Sequence, residues 1–146
     1  MDILPASLRD LGALRALEHV CFDQDAWSLL DLIAVLTFPE VVRLKAVEGG
    51  QMVGFVAGDP RPFDGLAWIA TLGVDPRYQR RGIGRALLLA AEARIKLPRL
   101  RLTVRRSNQG AITLYEQEGY HTADIWKGYY DDGEDGIVME KVTQEK

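Results

Sequence analysis

Leu8, Leu11, Leu14 and Leu17 recur at a spacing of three, and Ala13 and Leu17 at four, which predicts a helix over Ala6–Cys21. Ser28, with Asp31 three residues later, reads as the N-cap of a second helix that ends before Pro39. Val41–Glu48 and Gln51–Gly58 read as strands, and Gly49-Gly50 between them suits a tight hairpin turn. Asp59–Gly65 is a Pro/Gly loop. Leu66–Val74, rich in large apolar residues, reads as a buried strand stopped by Asp75-Pro76. Ile83, Ala86, Leu87, Ala90, Arg94 and Leu97 follow a helical stripe over Ile83–Leu97, which Pro98 ends. Leu100, Leu102 and Val104 alternate as a strand. Ser107-Asn108 then caps a short helix to Glu118, closed by Gly119. Tyr120–Trp126 and Ile137–Val142 complete the pattern as two strands around an acidic loop. The order ααβββαβαββ predicts an α+β fold, a mixed sheet flanked by helices.

A chain of 146 residues favours one domain over 1–146, with a core large enough to need no disulfide or structural metal. Its 47% hydrophobic and 27% charged residues exclude a disordered chain. The longest strictly apolar run, Ala86–Ala91, is far short of the ~20 residues that span a bilayer. The start, Met1-Asp2-Ile3-Leu4-Pro5, has no signal-peptide pattern, and a cytoplasmic location is expected. Cys21 is the only cysteine, and with His19 and His121 it gives no metal-ligand spacing, so no metal is expected. A small buried hydrophobe is the expected role of Cys21.

Charge changes the picture more than composition does. The net −3 hides a window, Arg77–Arg106, with nine Arg and one Lys against the single acid Glu92, a local +9. The remainder carries eight bases and twenty acids, or −12. Inside the basic window a buried strand ends at Val74, and Gly82 and Gly84 open an amphipathic helix. Backbone N–H groups at such a helix start, with the positive end of its dipole, make an anion site. Glycines let a phosphate approach the backbone, and Arg80, Arg81 and Arg85 add charge-assisted hydrogen bonds. The dinucleotide fingerprint fails because Leu87 stands where its third glycine belongs, and no P-loop is present.

Val74-Asp75-Pro76, Gln79-Arg80-Arg81-Gly82-Ile83-Gly84 and Ala86-Leu87-Leu88 together resemble the cofactor motif of the GNAT superfamily of acetyl-CoA-dependent N-acetyltransferases. The resemblance implies the GNAT fold, a single mostly antiparallel sheet with a splayed parallel strand pair at the cofactor site. It also implies that amides from Arg80 to Arg85 hold the pyrophosphate of acetyl-CoA, and that Leu72–Val74 pairs with the pantetheine arm. Asn108-x-x-Ala111-x-x-Leu114-Tyr115 with Gly119-Tyr120 resembles the family's next helix. There Asn108 and Ala111 fall on the cofactor side, and Tyr115 protonates the leaving thiolate as general acid. Asn108 is equally natural as a plain helix cap, and Tyr115 as a core aromatic.

Nearly the whole chain is similar to the bacterial ribosomal-protein N-terminal (α-amino) acetyltransferases within that superfamily. Asp25-Ala26-Trp27-Ser28 resembles their entry to the second helix, with Ala26 in place of proline, and Gly128-Tyr129-Tyr130 their loop over the substrate peptide. Trp27, Tyr129 and Tyr130 are thus substrate-side candidates. The general base of the resemblance departs: Thr103 and Thr71 stand where related enzymes carry Glu. A free α-amine, with a pKa near ~7.8, is roughly 15% neutral at pH 7, against about 0.04% for a Lys amine. An N-terminal amine therefore needs the least help, from water ordered by Thr71 and Thr103 or from another acid such as Glu116. Asp124, Asp131, Asp132, Glu134 and Asp135, with Asp23 and Asp25, either steer a cationic acceptor or form solvated acidic loops.

The expected partners are acetyl-CoA and an amine acceptor, a ribosomal or other protein N-terminus. A small-molecule amine, a non-catalytic acyl-CoA-binding domain and an RNA-binding arginine surface are the alternatives. No membrane or direct nucleic-acid contact is expected, and the chain is read as a monomer or homodimer.

Overall fold

Gly54 and Gly58 alternate with Phe55 and Ala57 along one strand, and that alternation organises the first half of the protein. A computed structural model describes residues 1–22 and 25–143; Asp23 lies outside the described residues. Its strands are β1 (Asp2–Pro5), β2 (Val42–Glu48), β3 (Gln51–Arg61), β4 (Leu66–Val74), β5 (Arg99–Arg105), β6 (His121–Trp126) and β7 (Gly136–Val142). Its helices are α1 (Leu11–Phe22), α2 (Leu29–Thr37), α3 (Ile83–Arg94) and α4 (Gln109–Gln117). Strand order is β1-β2-β3-β4-β5-β7-β6 in one sheet. The pairs β1–β2, β2–β3, β5–β7 and β6–β7 are antiparallel, and β4–β5 is parallel. The chain forms two compact units, Met1–Pro60 with Ile69–Lys96, and Arg61–Trp68 with Leu97–Lys146.

In the first unit, Phe55 and Ala57 join Leu14 and Leu17 of α1 and Leu32, Val35 and Leu36 of α2 in one buried cluster. The intervening glycines admit α3: a Cβ on Gly54 would lie 2.8 Å from Leu87 Cδ1 and 3.3 Å from Ile83 Cγ2. One on Gly58 would lie 2.7 Å from Ile95 Cδ1. Burial from both sides explains why Val53–Gly58 reads as a continuous apolar run. In the second unit, Leu100, Leu102 and Val104 of β5 are buried with Ile137, Val138 and Met139 of β7, Tyr115 and Tyr120.

One strand is new and three boundaries differ by more than one residue from those the sequence predicts. β1 carries no sequence signal, because its four residues, of which only Ile3 is even half-buried, show no alternation. The first helix starts at Leu11, since Ser7 and Asp10 form a capping box that opens a 3₁₀ turn over Leu8–Asp10. Strand β3 continues to Arg61, into the expected loop. Helix α3 stops at Arg94, because Ile95 turns extended (φ −91°, ψ 122°) and is buried against Gly58. The caps at Ser28 and Asn108 and the Gly49-Gly50 turn stand where the sequence puts them: the Ser28 and Asn108 side chains accept from the Asp31 and Ala111 amides. No described helix is long and apolar enough to cross a membrane.

Candidate active site

The turn after β4 is fixed by its own residues. The Asp75 amide donates to the Val53 carbonyl (2.8 Å), tying the strand end to β3. Its carboxylate accepts from the Arg77 amide (2.9 Å), Nε (3.2 Å) and Nη2 (2.9 Å), and these bonds hold its pKa below the ordinary value. Gln79 Nε2 reaches back to the Val74 carbonyl at 3.4 Å. Arg80 (φ 66°) and Gly82 (φ 77°) are both left-handed, and Arg80 is the only non-glycine residue with positive φ among the described residues. A non-glycine residue in this conformation is retained at a cost and clusters at functional turns. The first α3 bond runs from the Ala86 amide to the Gly82 carbonyl (3.0 Å), and no side chain caps the helix. The Ile83 and Gly84 amides precede that bond, and a Cβ on Gly82 would meet nothing within 4 Å. Arg80, Arg81 and Arg85 are exposed, with Arg81 over the Tyr78 ring (5.2 Å) and 3.8 Å from Glu48. This is an open anion cradle of backbone dipoles with cations around it.

Leu72 and Val74 are half-buried on β4, while Thr71 and Gly73 face α1. A Cβ on Gly73 would lie 3.1 Å from Cys21 Sγ and 3.1 Å from Phe22 Cε2. Cys21 is only half-buried, yet burial and the Glu18 and Asp75 charges push its thiol up to about 12. One turn earlier stands Glu18, 3% exposed. Thr71 Oγ1 donates to Glu18 Oε2 (3.0 Å) and the Trp27 amide to Oε1 (3.4 Å). Desolvation pushes this carboxyl above the usual carboxylate range despite both bonds. Sequence reasoning passes over Glu18, although a signal is present: it lies four residues after Leu14, on the apolar stripe of α1. Trp27, expected on the substrate side, packs partly buried against the α1–α2 cluster.

In the second unit, Asn108 serves as a helix cap and Ala111 is half-buried behind it. Tyr115 is the buried residue of α4, its ring 5.8 Å from that of Tyr120. Desolvation, with Tyr130 nearby, pushes its phenol to about 12, so it keeps its proton throughout the neutral range. Thr103 and Tyr129 meet at Gly136, where a Cβ would lie 2.9 Å from Thr103 Cγ2 and 3.1 Å from Tyr129 Cδ2. Trp68, Trp126, Tyr129 and Tyr130 form a chain of ring contacts at 5.8, 5.1 and 5.0 Å.

The acidic loop is far from a bare negative field. Arg105 Nη1 holds Asp132 (2.9 Å) and Glu134 (2.7 Å), and Arg106 Nη1 holds Asp135 (3.1 Å). Glu134 also accepts from the Ser107 amide (2.7 Å). These arginines of the basic window therefore order the loop opposite them. Arg101 likewise pairs with Glu140, its neighbour across β5 and β7. Glu116 is exposed on α4.

The profile of the Acetyltransferase (GNAT) family matches residues 11–120. The [ribosomal protein bS18]-alanine N-acetyltransferase of Escherichia coli K12 is 46% identical over 79 residues, 50% of this chain and 53% of that protein. The chain thus aligns with about half the length of that curated relative. The N-alpha-acetyltransferase RimI of Mycobacterium tuberculosis is 32% identical over 122 residues, covering 80% of this chain and 76% of the relative. The crystal structure of the E. coli ribosomal-protein-S18-alanine N-acetyltransferase superposes with a TM-score of 0.88 at 31% identity, over 99% of this chain and 95% of that one. Sheet order, the left-handed turn before α3 and these matches agree: the chain belongs to the acetyltransferase (GNAT) family.

Proposed function

We propose that residues 1–146 act as one domain that transfers the acetyl group of acetyl-CoA to a protein or peptide N-terminal α-amine. The observation that carries this reading is the left-handed Arg80–Gly82 turn, which leaves the start of α3 open to a pyrophosphate. Amides from Arg80 to Arg85 hold the phosphates, and the Leu72–Val74 strand end takes the pantetheine arm. The amine attacks the thioester carbonyl directly, and the amide near Val74 stabilises the oxyanion. Tyr115, protonated at working pH, donates to the departing thiolate. Thr103, Tyr129 and Tyr130 face the acceptor peptide, for which the relatives' acceptor, the N-terminal alanine of a ribosomal protein, is the first choice.

The test is thiol release from acetyl-CoA across peptides with varied first residues, Lys peptides and polyamines. Wild type is expected to prefer α-amines. Tyr115→Phe should lower kcat by about 10²-fold while keeping acetyl-CoA affinity. Binding of acetyl-CoA without transfer to any acceptor would overturn the enzyme reading, and a preference for polyamines would move it to small amines.

A further inference from the structure

Glu18 is 3% exposed, and no cation pairs with it among the described residues. Besides its two neutral donors the charge of the adjacent His19 also favours the carboxylate, yet burial outweighs all three. A carboxylate so placed is costly to a fold, and a charge to offset it is supplied most simply by something that binds. Its strongest contact leads to the strand that feeds the cradle: Thr71 Oγ1, at 3.0 Å, stands three residues before Val74 on β4. The hydroxyl has one proton, which it gives to Glu18, and its oxygen retains lone pairs for a second donor.

We infer that Glu18, acting through the Thr71 hydroxyl, is the proton acceptor for the acceptor amine. The inference rests on the acetyl transfer proposed above. An N–H of the ammonium is given up to Thr71 Oγ1 as the Thr71 proton passes to Glu18 Oε2. The nitrogen lone pair freed by that step attacks the thioester carbonyl. As the C–S bond breaks, the thiolate takes the Tyr115 proton, and the second proton shed by the new amide nitrogen restores the Tyr115 phenol. Glu18 is left as the neutral acid, a state that burial makes easier to reach than for an exposed carboxyl, and returns its proton to water after product leaves. Thr71 touches the amine; Glu18 is a positioning residue that also takes up the charge. The other titratable groups coupled to Glu18 are His19 and Cys21 on α1, and Asp75, beyond β4, acts on Cys21. Cys21, near 12, and Asp75, held low by Arg77, do not change charge in the neutral range.

The experiment is the pH profile of kcat/KM on an α-amine peptide for wild type, Glu18→Gln, Thr71→Val and Thr71→Ser, with His19→Gln as a control and acetyl-CoA affinity measured alongside. Without the acceptor only amine that is already neutral reacts, about 5% at pH 6.5 and over 90% at pH 9 for a pKa near ~7.8. Glu18→Gln and Thr71→Val should therefore lose about 20-fold at pH 6.5 and less than about two-fold at pH 9. Thr71→Ser should follow wild type, His19→Gln should keep the wild-type profile, and acetyl-CoA affinity should be unchanged in all. A deficit that is equal at every pH, or none at pH 6.5, overturns the role of Glu18 while leaving the transferase reading intact. A wild type that acetylates no α-amine overturns both. If Glu18→Gln does not fold, the Thr71→Val and Thr71→Ser pair decides the same question.

Discussion

Arg105 lies over the ring of Tyr130, its guanidinium carbon 4.2 Å from the centroid, while the same guanidinium holds Asp132 and Glu134. One side chain thus joins the end of β5 to the loop that carries Tyr129 and Tyr130, the tyrosines proposed to face the acceptor. Arg105→Ala should free the loop, seen as faster hydrogen exchange at Tyr130 and Gly133, whose amides are bonded within it. The peptide KM should rise on the order of ten-fold, with the acetyl-CoA KM unchanged. Arg105→Lys should rescue little, because an ammonium offers neither the planar stack nor the fork.

Asp75 sets a pH dependence of the opposite sign to Glu18. Its folded pKa lies below the ordinary 3.8, so its stabilisation is complete above that value and is lost as pH falls through the folded pKa. Denaturant midpoints of wild type and Asp75→Asn should differ at neutral pH and converge in acid. Asp75→Ala should cost about 1 kcal/mol, as other cap substitutions do.

Glu18 has a raised pKa, so ionising it costs stability as pH rises past 4.5. Glu18→Gln keeps an oxygen acceptor without the charge. Urea unfolding at pH 8 should find it at least as stable as wild type.

Gly54 has no room for a side chain: beyond Leu87 Cδ1, its Cβ would stand 3.2 Å from the Gly73 carbonyl oxygen. Gly54→Ala should cost roughly 1–3 kcal/mol by overpacking and push α3 away from the sheet, weakening acetyl-CoA binding as well as lowering Tm.

With its thiol near 12, Cys21 is ionised to only about 10⁻⁵ at pH 7 and is a poor nucleophile. Cys21→Ala should keep turnover within about two-fold. Intact mass after incubation with acetyl-CoA should show no acetyl adduct on the wild-type protein.

Much of this is legible in the residues. Local signals with a fixed period or cap, such as Ser28 with Asp31, Gly49-Gly50 and Asn108, place elements to within a few residues. The turn before α3, proposed to hold the cofactor, is legible as a turn because left-handed backbone and helix starts leave a mark in glycine spacing. What escapes depends on contacts distant in sequence. Strand β1 exists because β2 offers an edge, with Ile3 opposite Ala46. Glu18 and Thr71 meet across 53 positions: the stripe of α1 marks Glu18 as buried, but nothing local to either names the other as its partner. Arg80, Arg81 and Arg85 of the +9 window read as phosphate ligands, yet Arg101, Arg105 and Arg106 of the same window answer acids on β7 and the loop before it. Charge tallies along a chain do not record which charges the fold brings opposite one another.

The left-handed pair at Arg80 and Gly82 also bears on how a ligand is captured. A turn already bent to its final shape, clamped by Asp75 and strapped by Gln79, has little left to organise when an anion arrives. The entropy of ordering it is met during folding, so association should be rapid and dominated by the surrounding arginines, and weakened by salt. If the turn holds the ligand as proposed, affinity is tied to integrity: whatever loosens its clamp should weaken binding before the protein unfolds.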